Sequence, residues 1–272
     1  MGILDAIILG IIQGLTEFLP ISSSGHLVLA QHFLGVDKAL LDEAILFDLT
    51  LHLGTVLAVV YCYWSDIKGL LSRGPKADSG VINETAPLPK KLLLMFIISI
   101  AATGIIAFPV QKFLEDAFTN ARFAAYGLLV TAVILTLSLL AKGNKKISDI
   151  KPLSALIIGL GQGIAVFPGI SRSGTTIVTG MLLGIKGKDA ARYSFMLSAP
   201  TILLASLVQF KDVLSGENLN VPVVHYIVGF IASAVFGVLA IKILLRVLSG
   251  GKLAWFAAYC VIAGVTALLL IR

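Results

Sequence analysis

The sequence predicts an all-α polytopic membrane protein, with six transmembrane helices plus two re-entrant helix pairs in an inverted-topology repeat. Three observations predict it. The first is composition: of 272 residues, 57% are hydrophobic and only 13% charged, about half the charged share of an ordinary soluble domain. The second is a series of apolar runs that approach or exceed the roughly 20 residues needed to cross a bilayer. The third is a polar segment that occurs twice. Residues 13–25 read QGLTEFLPISSSG and residues 162–174 read QGIAVFPGISRSG. At a constant offset of 149, Gln13, Gly14, Phe18, Ile21, Ser22, Ser24 and Gly25 recur as Gln162, Gly163, Phe167, Ile170, Ser171, Ser173 and Gly174.

The elements follow in order. Residues 3–35 are apolar but broken near the middle, at Pro20–Gly25. Each arm has only about 11–17 residues, too few to cross a bilayer, so the stretch is expected to enter, turn and leave on one side. Irregular backbone at that depth is tolerated where protein buries it or where it lines a water-filled cavity. Full spans are expected at about 41–63, 90–109 and 121–141. Residues 153–185 repeat the broken pattern, with the break at Pro168–Gly174, and spans follow at about 189–210, 222–247 and 253–271. Phe47–His52 opens its span much as Tyr193–Ser198 opens the corresponding one. Tyr61, Tyr63, Trp64 and Trp255 read as interfacial anchors. Cys62 and Cys260 read as small hydrophobes, because a metal site wants more Cys or His at ligand spacing.

Charge tests the topology. If the broken stretches do not cross, Lys38, Lys112, Arg122, Lys211 and Arg272 lie on one face, and of the 21 Lys and Arg all the others except Arg172 lie on the opposite face. That asymmetry is the positive-inside pattern, and it places both termini outside the cytoplasm. The same rule accounts for the net charge of +6, so no nucleic-acid partner is expected. The opening Met1–Ala6 lacks a basic segment, so no cleaved signal peptide is expected. One integral membrane domain over 1–272 then holds two repeats, approximately 1–141 and 142–272. Each repeat has three spans, an odd number, so the second is inverted relative to the first. In such repeats, sites form near the midplane where the halves meet.

The repeated segments carry the candidate chemistry. Gln13 and Glu17 are four apart, on one helix face. Ionisable groups such as Glu17 are rare at membrane depth and mark function. The Ser22, Ser23, Ser24, Gly25 turn feeds a short helix bearing His26. A Gly/Ser turn at a helix N-terminus offers N–H groups and a favourable dipole to an anion. The second copy, with Gly169, Ser171, Ser173, Gly174 and Thr175, repeats the device and adds Arg172, suited to bidentate phosphate contact. A structural role as the partner of Glu17 also suits Arg172. Asp48 and His52, four apart on one face, are open to a site-facing or a structural role. His32 and His225 carry no local constellation.

These residues, QGLTEFLPISSSGH and PGISRSG, resemble the two signature motifs of the undecaprenyl-diphosphate phosphatase family, the bacitracin-resistance membrane proteins. The resemblance covers essentially the whole chain. It implies hydrolysis of undecaprenyl diphosphate to undecaprenyl phosphate and inorganic phosphate, which recycles the lipid carrier of peptidoglycan synthesis. It implies a bacterial plasma-membrane enzyme with an outward-facing site and a divalent cation, Mg²⁺ or Ca²⁺. By the same resemblance Glu17, Ser23, His26 and Arg172 are catalytic. Ser22, Ser24, Gly25, Asp48, Gly169, Ser171, Ser173, Gly174 and Thr175 bind substrate. Glu17 and Gln13 hold the metal. Many family members carry Glu where this chain has Gln13, which leaves Glu17 as the main acidic group. Arg172 and the Ser171–Gly174 backbone would hold the terminal phosphate. Ser23, His26 or water could each be the nucleophile. The implied partners are a polyprenyl diphosphate and membrane lipids, and a homodimer is compatible with the chain. The rival is a lipid or small-molecule transporter or flippase, because inverted repeats with broken helices are also a transporter architecture. A purely structural scaffold would leave Glu17 and Arg172 unexplained.

Overall fold

The computed structural model describes residues 2–35, 41–71, 89–110, 113–114, 117–118, 120–213 and 222–271. Lys38, Arg73, Lys76, Lys112 and Arg272, which enter the charge count, lie outside the described residues, as does the side chain of Lys211. Among the described residues the chain is helical, with no strand beyond an isolated bridge between Lys145 and Ile185. The helices are α1 (Ile3–Phe18), α2 (Ser23–Leu34), α3 (Leu41–Cys62), α4 (Trp64–Leu71), α5 (Lys91–Ala107) and α6 (Ala121–Thr136). They continue as α7 (Pro152–Ile164), α8 (Arg172–Leu182), α9 (Gly187–Val213), α10 (Val223–Ser249) and α11 (Trp255–Leu270).

Four stretches are long and apolar enough to cross a membrane: Lys91–Val110, Ala121–Leu140, Gly187–Val208 and Val223–Ser249. A fifth is the pair Leu46–Cys62 and Trp64–Leu71, bent by 77°. This differs from the six expected spans at two places. The expected span 253–271 is a helix of 16 residues, Trp255–Leu270. At 1.5 Å per residue it covers about 24 Å, short of a hydrocarbon core of roughly 30 Å. The expected span 41–63 does not end at its aromatic cluster but turns sharply into α4. That turn corrects the anchor assignment of Tyr63, which is swung inward and buried, packing at 6.3 Å against the Phe195 ring. Tyr61, Trp64 and Trp255 remain exposed, with Lys68 over Trp64 and Lys252 over Trp255. The bend is tied down by Arg192 of α9, which donates to both carboxylate oxygens of Asp66 on α4.

Both expected breaks are present. Between α1 and α2 the chain passes Leu19–Ser22, and Ser22 holds φ 70°. A serine pays strain in that region. Between α7 and α8 it passes Ala165–Ser171, with Gly169 at φ 88°. The broken helices pack across the halves of the chain. α1 lies on α10, and α7 lies on α5. Small residues permit this: a Cβ on Gly14 would fall 2.5 Å from Ser233 O, and one on Gly159 would fall 2.3 Å from Ser99 O. α11 packs on α6, and α3 on both α9 and α10. The largest buried cluster joins both halves through Phe18, Val59, Leu92, Ile158, Tyr193, Phe195 and Ile241. Cys62 and Cys260 are unpaired thiols within this packing.

Candidate active site

The two turns touch. A Cβ on Gly25 would sit 2.8 Å from the Cα of Gly169, and one on Gly174 would sit 3.3 Å from Pro20. Ser173 Oγ donates to Leu19 O at 3.2 Å. Each turn is built the same way. Ser22 caps α2 by accepting from Gly25 N at 3.3 Å, and Ser171 caps α8 by accepting from Gly174 N at 3.0 Å. The hydroxyls of Ser22 and Ser24 lie 3.3 Å apart, and those of Ser171 and Ser173 lie 3.2 Å apart. Thr175 donates to Ser171 O at 2.8 Å. Two capped helix N-termini, with their dipoles, thus come together at one place.

Glu17 sits at that place. It is 5% exposed, one turn beyond the fully buried Gln13 on the same face of α1. Gln13 Nε2 donates to Glu17 Oε2 at 3.0 Å, and Ser23 Oγ donates to the same oxygen at 2.5 Å. Arg172, the first residue of α8, pairs its guanidinium with Glu17 Oε1. His52 of α3 brings Nε2 to 3.9 Å from Glu17 Oε2. One carboxylate therefore gathers residues from α1, α2, α3 and α8. A lone buried carboxylate is costly, and two donors with a guanidinium offset that cost.

Two of the sequence candidates stand aside from this cluster. His26 Nδ1 bonds Ser22 O at 2.8 Å; a carbonyl only accepts, so Nδ1 carries the hydrogen. Nε2 of the neutral ring then accepts from the Tyr259 hydroxyl at 2.8 Å. Asp48 accepts from Gln31 Nε2 at 3.0 and 3.3 Å, on the α2 side. His26 and Tyr259 border a groove of about 490 Å³ lined by Ile12, Leu15, Thr16, Leu19, Ile21, Trp255 and Phe256. It runs beside the first turn, between α1 and α11.

The bacitracin resistance protein BacA family model matches residues 6–266. The chain belongs to that family. An undecaprenyl-diphosphatase of Halothermothrix orenii is 42% identical over 271 residues, covering 99% of this chain and 98% of the relative. One from Methanosphaera stadtmanae is 40% identical over 279 residues, covering 99% and 98%. An undecaprenyl-diphosphatase 2 of Bacillus thuringiensis is 37% identical over 267 residues, covering 98% and 97%.

Within this BacA-family chain, sequence reasoning missed three supporting residues. Thr131 of α6 donates to Gly169 O at 2.7 Å and accepts from Ser171 N at 2.8 Å, so it staples the second turn. Tyr259 holds His26, and Gln31 holds Asp48. No local pattern marks Thr131 or Tyr259, because each reaches its partner only through tertiary packing. His52 did carry a signal, its place one turn after Asp48. Gln162, the repeat counterpart of Gln13, bonds Thr103 and Thr201 instead, at 2.9 and 3.3 Å. Among the described residues no group of three His, Cys, Asp or Glu side chains could hold a metal. Beside Glu17, however, Gln13 Oε1 is a buried oxygen with no hydrogen-bond partner. One carboxylate and one orphan amide oxygen fit a hard cation whose other ligands come from substrate and water.

Proposed function

We infer that this BacA-family chain is an undecaprenyl-diphosphatase. It hydrolyses undecaprenyl diphosphate to undecaprenyl phosphate and inorganic phosphate. That recycles the lipid carrier for peptidoglycan synthesis and confers resistance to bacitracin. The single observation that carries the chemistry is the Glu17 carboxylate shared between Ser23 of one turn and Arg172 of the other.

The terminal phosphate enters between the two helix N-termini, where N–H groups and dipoles favour an anion. Arg172 exchanges its carboxylate partner for the phosphate oxygens and stabilises the charge that develops there. Glu17, released on that side, takes the proton of Ser23. Ser23 Oγ attacks the terminal phosphorus, the P–O–P bond breaks, and undecaprenyl phosphate leaves. A water then hydrolyses the phosphoserine, and Glu17 returns the proton to Ser23. Ser23 is favoured over His26 because Ser23 already bonds the base, while both ring nitrogens of His26 are engaged elsewhere. Gln13 Oε1 and Glu17 would hold the divalent cation, Mg²⁺ or Ca²⁺, which when bound supplies charge neutralisation to the diphosphate. The remaining substrate contacts fall to the turn residues Ser22, Ser24, Gly25, Gly169, Ser171, Ser173, Gly174 and Thr175. The apolar groove beside His26 suits the first isoprene units of the tail.

The architecture that goes with this reading has six spans and two re-entrant pairs in inverted repeats over 1–141 and 142–272. The site and both termini then lie outside the cytoplasm of a bacterial plasma membrane. The packing of α1 on α10 and of α7 on α5 supports it, since the broken helix of each half lies on the second span of the other. The positive-inside asymmetry of the Lys and Arg residues favours that orientation. The transport reading has no support among the relatives, which are named as diphosphatases. Purified protein in detergent, without a second compartment, is expected to release phosphate from C55 diphosphate and to stop when divalent cations are chelated. Absence of phosphate release would return the case to transport. Labelling of single cysteines placed at each terminus with a membrane-impermeant thiol reagent tests the orientation.

A further inference from the structure

The proposed reaction makes no use of residues 141–151, which lead from α6 to α7, or of residues 183–186, which lead from α8 to α9. These two segments are stitched together. Lys145 N donates to Gly184 O and Lys186 N donates to Lys145 O, both at 2.9 Å, which makes the isolated bridge between Lys145 and Ile185. Ile147 N donates to Asp189 Oδ1 at 3.0 Å, and Lys145 Nζ donates to Leu183 O at 2.8 Å. The backbones approach closely: a Cβ on Gly143 would fall 2.5 Å from Ile185 O. Ile147, Ile150 and Ile185 are buried and anchor the pair from within. The two segments therefore form one fixed platform.

The platform is strongly basic. Residues 142–151 and 186–189 hold six lysines, Lys142, Lys145, Lys146, Lys151, Lys186 and Lys188, and all six are exposed. The same residues hold two acids, Asp149 and Asp189. Each acid accepts from a backbone N–H, that of Lys146 for Asp149 and that of Ile147 for Asp189. Among the described residues neither acid pairs with a platform lysine. The platform also has a defined depth. Leu140 precedes Lys142 by two residues, Leu153 follows Lys151 by two, and Leu182 precedes Lys186 by four. These leucines and Leu139 are exposed, as suits side chains that face lipid tails. The lysines beside them then stand where hydrocarbon ends and lipid phosphates begin. A zwitterionic headgroup brings its own cation to that level, whereas an anionic one needs cations from the protein. We propose that the platform is a binding site for anionic phospholipid headgroups of the phosphatidylglycerol class. The proposal does not rest on the diphosphatase reading.

The test is native mass spectrometry of the full chain released from micelles holding equal amounts of phosphatidylglycerol and phosphatidylcholine. The ratio of the two lipids retained is the measurement. A lysine at the membrane surface is worth about fivefold in affinity for an anionic lipid, so a headgroup held by two of them is retained about 25-fold in preference. The variant K142Q/K146Q/K186Q/K188Q is expected to lose most of that preference. Lys145 is left in place because its ammonium holds Leu183 O. The control K68Q/K90Q/K242Q/K252Q removes the same charge from exposed lysines on other elements, and its ratio is expected to stay within about threefold of wild type, since charges beyond a Debye length are screened. No preference in wild type, or an equal loss in both variants, overturns the proposal. So does displacement of the lipid by excess inorganic phosphate, which would mark a site for small anions. Should the first variant not elute as a monodisperse peak, K186Q/K188Q is compared with K242Q/K252Q. A loss in the first pair alone is then expected, and equal ratios overturn the proposal.

Discussion

Removing the Arg172 guanidinium has two separable consequences. Glu17 is left buried with a negative charge and only the neutral donors Gln13 and Ser23 close to it. Breaking a buried pair by deleting one partner costs about 3–5 kcal/mol. The Arg172 side chain is 18% exposed, so water and lipid headgroups reach it and the lower end, about 3 kcal/mol, applies. The second consequence is catalytic. A donor aimed at charge that develops in the transition state is worth about 2.7–4 kcal/mol, or 10²–10³-fold in kcat. R172A is therefore expected to unfold at a lower temperature and to lose about 10²–10³-fold in kcat. The double variant R172A/E17Q removes the orphaned charge as well. It is expected to regain most of the lost stability while its kcat stays at or below that of R172A. Thermal unfolding followed by size exclusion measures the first quantity, and phosphate release in detergent the second. A kcat for R172A within tenfold of wild type refutes the phosphate clamp. Identical unfolding of the single and double variants refutes the buried-charge argument.

Three further outcomes follow from the same geometry. S23A is expected to lose at least about 10³-fold in kcat, because it deletes a nucleophile rather than a helper; quench-flow is expected to trap a phosphoserine in wild type, and a vigorous S23A enzyme would point to water as nucleophile. G25A puts a Cβ 2.8 Å from the Cα of Gly169, itself wedged against Ala124 O, so neither turn can yield; a loss of about 1–3 kcal/mol in stability is expected from overpacking, with reduced kcat. G104A, where a Cβ meets nothing within 4 Å, is the matched control, and an equal loss in both would sink the contact argument. T131V removes the staple on the second turn and leaves the buried Ser171 N–H without its partner, at a cost of about 1–3 kcal/mol, and its kcat is expected to fall while KM rises; unchanged kinetics would mean that the turn holds itself.

Much of the site was legible because the motifs are local. A turn with Ser at the cap and Gly three residues on dictates its own cap hydrogen bond, and both turns contain that bond at Gly25 and Gly174. The four-residue spacing of Gln13 and Glu17 dictates their contact on α1. Less was legible where a side chain has two partners within reach. His26, three residues after the proposed nucleophile Ser23, turns to Tyr259, 233 residues away. Asp48, expected at the substrate, is taken by Gln31, and its neighbour one turn on reaches Glu17 instead.

The sequence by itself determined that the chain is helical and apolar, and that one polar motif occurs twice, at two matching breaks. Composition and period settle those points, because hydrogen bonding in lipid leaves a helix little alternative. Only the tertiary structure decided which groups of the two breaks share one oxygen. Glu17 meets Arg172 because α1 and α8 place their turn residues within van der Waals contact, with Gly25 against Gly169. It meets His52 because α3 packs beside α1. Those encounters depend on helix separation and rotation, which close packing of small residues sets and which no spacing along the chain contains.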